Sequence, residues 1–175
     1  MKGKRFYSKE LALKTLAGFG DIRLPVDVIR LCKEQGILLT VCELSEDVPG
    51  VSFVYEGMPF IFVREKEDGK HQRFICAHEM GHLLQGHVGE WGRVVGKAEL
   101  GVKEKEREAM VYAAELLMPQ CLLLMIDAIS IEKIMELCEV PYRAAFYALK
   151  EIGRQREKWV SSELETEVCN CFELL

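Results

Sequence analysis

Residues 72–86 read QRFICAHEMGHLLQG, and the five at the centre, His78-Glu79-Met80-Gly81-His82, govern how the rest is read. In a helix, histidines four residues apart lie one turn apart on the same face. The rings of His78 and His82 can therefore converge on one ion. Glu79 is turned about 100° from His78 and about 60° from His82, so it points beside that ion rather than at it. A carboxylate placed there can take a proton from water activated by zinc. HExxH arises by chance in roughly one chain in a few hundred of this length, so the setting has to carry the argument. Ile75, Cys76 and Ala77 precede the motif, and Met80, Gly81, Leu83 and Leu84 lie within or after it; all are uncharged. The pattern predicts a buried helix with three polar side chains on one side, and buried polar groups need partners. The opposing reading is an exposed helix with incidental histidines.

A catalytic zinc needs a third protein ligand. His87 does not fit the metzincin extension, which requires glycine at position 85 and histidine at position 88, where the chain has Gln85 and Val88. It reads as a wall of the site or a surface histidine, and His71 has no clear role. The next helical stretch offers Glu104, Glu106, Glu108 and Glu115. Glu106 shares a face with Ala109, Met110, Ala113 and Leu117, the stripe expected to turn inward. The other three fall on another face and read as solvated charge. Glu106 is therefore the preferred third ligand.

Working outward, residues 8–18 read as a helix capped by Ser8 and stopped by Gly18 and Gly20. A second helix runs from Pro25 to Gln35, with Val28, Leu31 and Cys32 on its buried side. Ile37 to Leu44 is a strand, and Val51 to Tyr55 with Pro59 to Val63 form a hairpin around Glu56-Gly57-Met58. Helices are expected over 72–85 and 103–118, the latter stopped by Pro119, and then over 129–138 and 141–159. Residues 88–102 hold four glycines and Trp91 and read as a loop. The order predicts an α+β fold with a small antiparallel sheet of about three strands packed on helices. Three segments follow: a core over 1–128, a helical extension over 129–160, and an acidic tail over 161–175. The extension has the look of a helix-turn-helix around Val140-Pro141. Its near-balanced charge favours packing or partner docking over DNA.

The 175 residues suit one compact domain, with 49% hydrophobic and 29% charged residues and a net charge of −5. That balance argues against general binding to nucleic acid or anionic membrane. The one basic cluster, Lys2, Lys4, Arg5 and Lys9, reads as the solvated start of a helix. No signal peptide is recognised, and the longest apolar runs, Ala109 to Ala114 and Cys121 to Ile126, are far too short to span a membrane. Seven cysteines, Cys32, Cys42, Cys76, Cys121, Cys138, Cys169 and Cys171, form no CxxC pair and suit reduced core thiols. Cys169 and Cys171 leave a disulfide or a metal site open as alternatives. A cytoplasmic location is expected.

Arg73-Phe74-Ile75-Cys76-Ala77-His78-Glu79-Met80-Gly81-His82, followed by Glu106 to Pro119 (EREAMVYAAELLMP), resembles the ImmA/IrrE-type metallopeptidases. There an R-F-x-x-A-H-E-x-G-H helix pairs with an E-x-x-A-N-x-F-A-A-x-L-L-M-P helix. The resemblance covers about residues 20–150. It implies zinc held by His78, His82 and Glu106, with Glu79 catalytic. Met110 stands where the family has asparagine, and Tyr112 where it has phenylalanine. The resemblance also implies a protein substrate, a helix-turn-helix repressor of a phage or mobile element, and hence an antirepressor role. For the reaction itself, His87 and Tyr112 are candidates to stabilise the oxyanion, and the edge strand at Pro59 to Val63 could hold an extended substrate. The alternative is a zinc-binding regulatory module that binds its partner without cutting it.

Overall fold

A computed structural model describes residues 2–89, 102–155 and 162–172. The order is α1 (Lys2–Phe19), α2 (Val28–Glu34), β1 (Leu38–Cys42), β2 (Gly50–Tyr55), β3 (Met58–Arg64), α3 (Gly69–Leu84), α4 (Val102–Leu117), α5 (Gln120–Met125), α6 (Ile131–Cys138), α7 (Tyr142–Gln155) and α8 (Glu163–Asn170). The class is α+β, as expected. The chain forms two compact units: Val28–Ala113, and Met1–Asp27 together with Ala114–Leu175. Among the described residues no helix is long and apolar enough to cross a membrane.

In the unit Val28–Ala113 the sheet has the order β1-β3-β2. β2 and β3 are antiparallel, with Ser52 opposite Ile61, but β1 runs parallel to β3, with Leu38 opposite Phe60. The sheet is thus mixed, not antiparallel throughout. From β1 the chain passes to the far edge, forms β2, and turns back to place β3 in the middle. Glu56 and Gly57 both have positive φ, +50° and +78°, so the hairpin turns on two residues rather than the three expected. β3 is hydrogen-bonded on both sides, so Pro59–Val63 offers no free edge. Pro59 is tolerated there because pairing with β1 starts only at Phe60.

Period-two alternation divides the sheet. Ser52, Ile61 and Val63 are buried, on the face that carries α3. Phe53, Phe60 and Phe62 cluster on the opposite face, with Phe53 centroids 5.3 Å from each of the others. α3 starts at Asp68, whose side chain accepts from the backbone N–H groups of Lys70 and His71. It ends in a Schellman turn: Gly86 has φ +68°, its N–H reaches Leu83 O, and the His87 N–H reaches His82 O at 2.9 Å. Two glycines seat α3. A Cβ on Gly50 would collide with Ile75, and one on Gly81 would lie 3.2 Å from both Cα and O of Ala109 and 3.0 Å from Tyr112 Cδ1.

In the second unit α1 packs on α8, α5 on α7 and α8, and α6 on α7. α1 begins well before residue 8, and Ser8 is a buried mid-helix residue rather than a cap. The side chains of Lys2, Lys4 and Arg5 lie outside the described residues. Lys9 is not a solvated lysine: it reaches Glu115 at 3.5 Å and Gln120 Oε1 at 3.1 Å. α2 starts at Val28, three residues after Pro25. Pro119 does stop α4, yet it stands at the N-cap of a further helix, α5, which was not expected. The acidic segment after 161 contains α8, started by a capping box between Ser162 and Glu165. Most of the expected 88–102 loop and the end of the expected 141–159 helix lie outside the described residues.

Candidate metal centre

His78 and His82 project from one face of α3 with Nε2 atoms 3.1 Å apart. Glu106 reaches them from the start of α4: its Oε2 is 3.3 Å from His78 Nε2 and its Oε1 is 3.5 Å from His82 Nε2. The close crossing at Gly81 and Ala109 makes this reach possible. It brings the two helix backbones together one turn from the carboxylate. Among the described residues His78, His82 and Glu106 are the group able to hold a metal ion. Four-coordinate zinc, with bonds of about 2.0–2.1 Å, spaces its donor atoms about 3.3–3.4 Å apart. The three observed separations suit a single ion with that donor set, two imidazole nitrogens and a carboxylate.

Electrostatics favour neutral, lone-pair-bearing rings. Burial pushes His78 below the ordinary histidine value against the opposing pull of Glu106. It does the same to His82, helped by His78. Neutral imidazole is the form that ligates a metal. Glu79 lies beside the pair. Burial pushes its carboxyl above the usual value, and the hydroxyl of Ser52, donating to Oε2 at 2.6 Å, holds it down. Ser52 comes from β2, brought close by Gly50.

Behind His82 stands a second histidine. His87 Nδ1 is 3.3 Å from His82 Nδ1, and His87 Nε2 is 3.1 Å from Glu108 Oε2. Burial, and then His82, push His87 below its ordinary value, with Glu108 acting the other way. His78 Nδ1, by contrast, has no hydrogen-bond partner among the described residues. Tyr112 is fully buried beneath Gly81. His71 pairs with Asp68 at the start of α3, outside this cluster.

The structure thus brings together His78, His82, Glu79, Glu106 and His87, and it packs Tyr112 in the core. Two charges read as solvated are buried: Glu108 faces His87, and Glu115 faces Lys9. The face that Glu106 shares turns inward only in part. Ala109, Ala113 and Leu117 are buried, but Met110 is 39% exposed and the Glu106 side chain 56%. Ser52 and Glu108 are partners that sequence reasoning missed. For Ser52 a signal existed, since it is a polar residue at an inward position of an alternating strand.

Comparison with known proteins agrees with this geometry. Residues 32–150 match a peptidase family model described as the IrrE N-terminal-like domain. No curated protein matches the chain. The match takes in the whole cluster and more than half of the sequence, so the chain belongs to the IrrE N-terminal-like family of metallopeptidases.

Proposed function

We propose that the protein is a zinc-dependent endopeptidase in which His78, His82 and Glu106 hold the ion and Glu79 is the general base. The observation that carries this reading is the convergence of two Nε2 atoms and one carboxylate within 3.1–3.5 Å of one another, beside a carboxylate tethered by Ser52. Zinc in such a site supplies Lewis-acid polarisation of the scissile carbonyl and acidifies water. Glu79 takes the proton from the attacking water and delivers it to the departing amine. Its burial suits both tasks, because a carboxyl pushed upward releases a proton less readily to solvent. His78 and His82 present lone pairs, and Glu106 adds the negative charge that completes the donor set.

The edge strand beside Glu79 is β2, not Pro59–Val63; with the Val54 N–H donating to Gly89 O at 3.4 Å, an extended substrate strand is assigned to β2 at Gly50–Ser52. The motif resemblance supports a narrower reading, in which the substrate is a helix-turn-helix repressor of a phage or mobile element, cut as an antirepressor would. Reduced cysteines fit a cytoplasmic site of action.

Metal quantification and proteolysis test this together. Wild type is expected to carry one zinc per chain, and His78→Ala and Glu106→Gln to lose it. Glu79→Gln should retain zinc and lose cleavage of a quenched peptide library or of a co-expressed repressor by at least a hundredfold. A Glu79→Gln chain that keeps its biological effect would favour the non-cleaving regulatory module.

A further inference from the structure

We propose that His87 and Glu108 form a hydrogen-bond relay behind His82 and act as positioning residues that fix the tautomer of that ligand. The proposal rests on the reading of His82 as a metal ligand through Nε2.

Proton accounting fixes the direction of each hydrogen bond in the relay. A neutral imidazole has one N–H and one lone pair. If Nε2 of His82 faces the metal site with its lone pair, the ring proton sits on Nδ1. That proton needs an acceptor, and His87 Nδ1 lies 3.3 Å away. Two facing Nδ1 atoms cannot both donate, so His87 Nδ1 supplies the lone pair and His87 carries its own proton on Nε2. There the carboxylate of Glu108, able only to accept, waits at 3.1 Å. One assignment gives every ring nitrogen of His82 and His87 a partner, from Glu108 Oε2 to the metal site. A carboxylate placed behind a ligating histidine is a recognised device for orienting the ring. Here a second imidazole extends it by one link.

The backbone explains how His87 arrives. In a Schellman turn the residue after the left-handed glycine folds back over the third residue from the helix end, usually for an apolar contact. Here those two residues are His87 and His82, joined also by His87 N–H to His82 O. The side chains, with ring centroids 5.2 Å apart, use the same approach for a hydrogen bond. Glu108 is buried two residues beyond Glu106 on α4. One helix thus supplies a carboxylate to each side of His82.

Two measurements test the relay. The first is the ring tautomer of His82 in zinc-free protein, by long-range ¹⁵N–¹H correlation. Wild type and His87→Asn, whose carbonyl oxygen replaces the Nδ1 acceptor, should hold the Nδ1–H form. His87→Ala should lose that preference. The second is zinc affinity by chelator competition. His87→Ala and Glu108→Leu should weaken binding about 10–100-fold, whereas His87→Asn and Glu108→Gln stay within a few fold of wild type. An unchanged tautomer in His87→Ala, or an asparagine variant as weak as the alanine variant, would overturn the relay. If wild type binds no zinc, the ligand assignment fails on its own, and the tautomer measurement still decides whether the relay exists.

Discussion

Ser52 has no metal-binding chemistry, yet it holds Glu79 at 2.6 Å and is buried against α3. A hydrogen bond to a charged group is worth about 1.5–3 kcal/mol, and 1.36 kcal/mol is a tenfold rate change. Ser52→Ala is therefore expected to lower kcat on a peptide library about tenfold or more while zinc content stays at one per chain. Loss of zinc would place Ser52 in the scaffold of the ligands instead. At this scale the cluster of His78, His82 and Glu106 was legible and its supports were not. His78, Glu79 and His82 follow from four-residue spacing on one helix. Glu106 follows from its place on the alanine face of the next. Glu108 was misread because helical periodicity assigns faces relative to a helix's own stripe. Nothing local announces that the turn after α3 delivers an imidazole to the other side.

Among the elements, the junction of α1, α4 and α5 stands apart from the metal centre. Glu115 is fully buried near the end of α4, accepts from the Gln120 N–H, and lies 3.5 Å from Lys9. Burial pushes its carboxyl above the ordinary 4.5 and outweighs the lowering pull of Lys9. A carboxyl raised in the fold contributes its stability below its unfolded pKa and loses it as pH rises through the folded one. Relative to Glu115→Gln, the wild type should thus lose stability as pH rises from about 4.5 upward. Urea unfolding of the pair across that range checks the slope, and a difference that grew in the opposite direction would be inconsistent with it. Helix existence was legible wherever apolar periodicity ran long. α5 and α8 escaped for want of a period: Cys121 to Ile126 is apolar throughout, and the acidic tail offers few apolar positions. The Ser162-x-x-Glu165 box was the available cue for α8.

For the molecule as a whole, the metal is expected to act as a fold stabiliser. A ligand bound only by the native state adds RT ln(1 + [L]/Kd), about 2.7 kcal/mol at a hundredfold excess over Kd. Chelation should lower the Tm of wild type by several degrees and leave Glu106→Gln unmoved, as thermal unfolding with and without chelator would show. The α+β class was legible from the order of patterns alone. The parallel pairing of β1 was not, since alternation specifies faces and leaves strand direction open. Nor did any local cue mark long-range contacts such as the bridge between Ile22 and Phe172.

The two-residue turn at Glu56-Gly57 carries a consequence for chemistry that it never touches. Strands count in twos, and β3 is anchored from its other side by β1. An odd-numbered insertion in that turn that slid β2 by one step would invert its parity. Phe53 would then stand against Glu79, Ser52 would turn toward the phenylalanine cluster, and the Glu79 carboxyl would trade a hydroxyl for a ring.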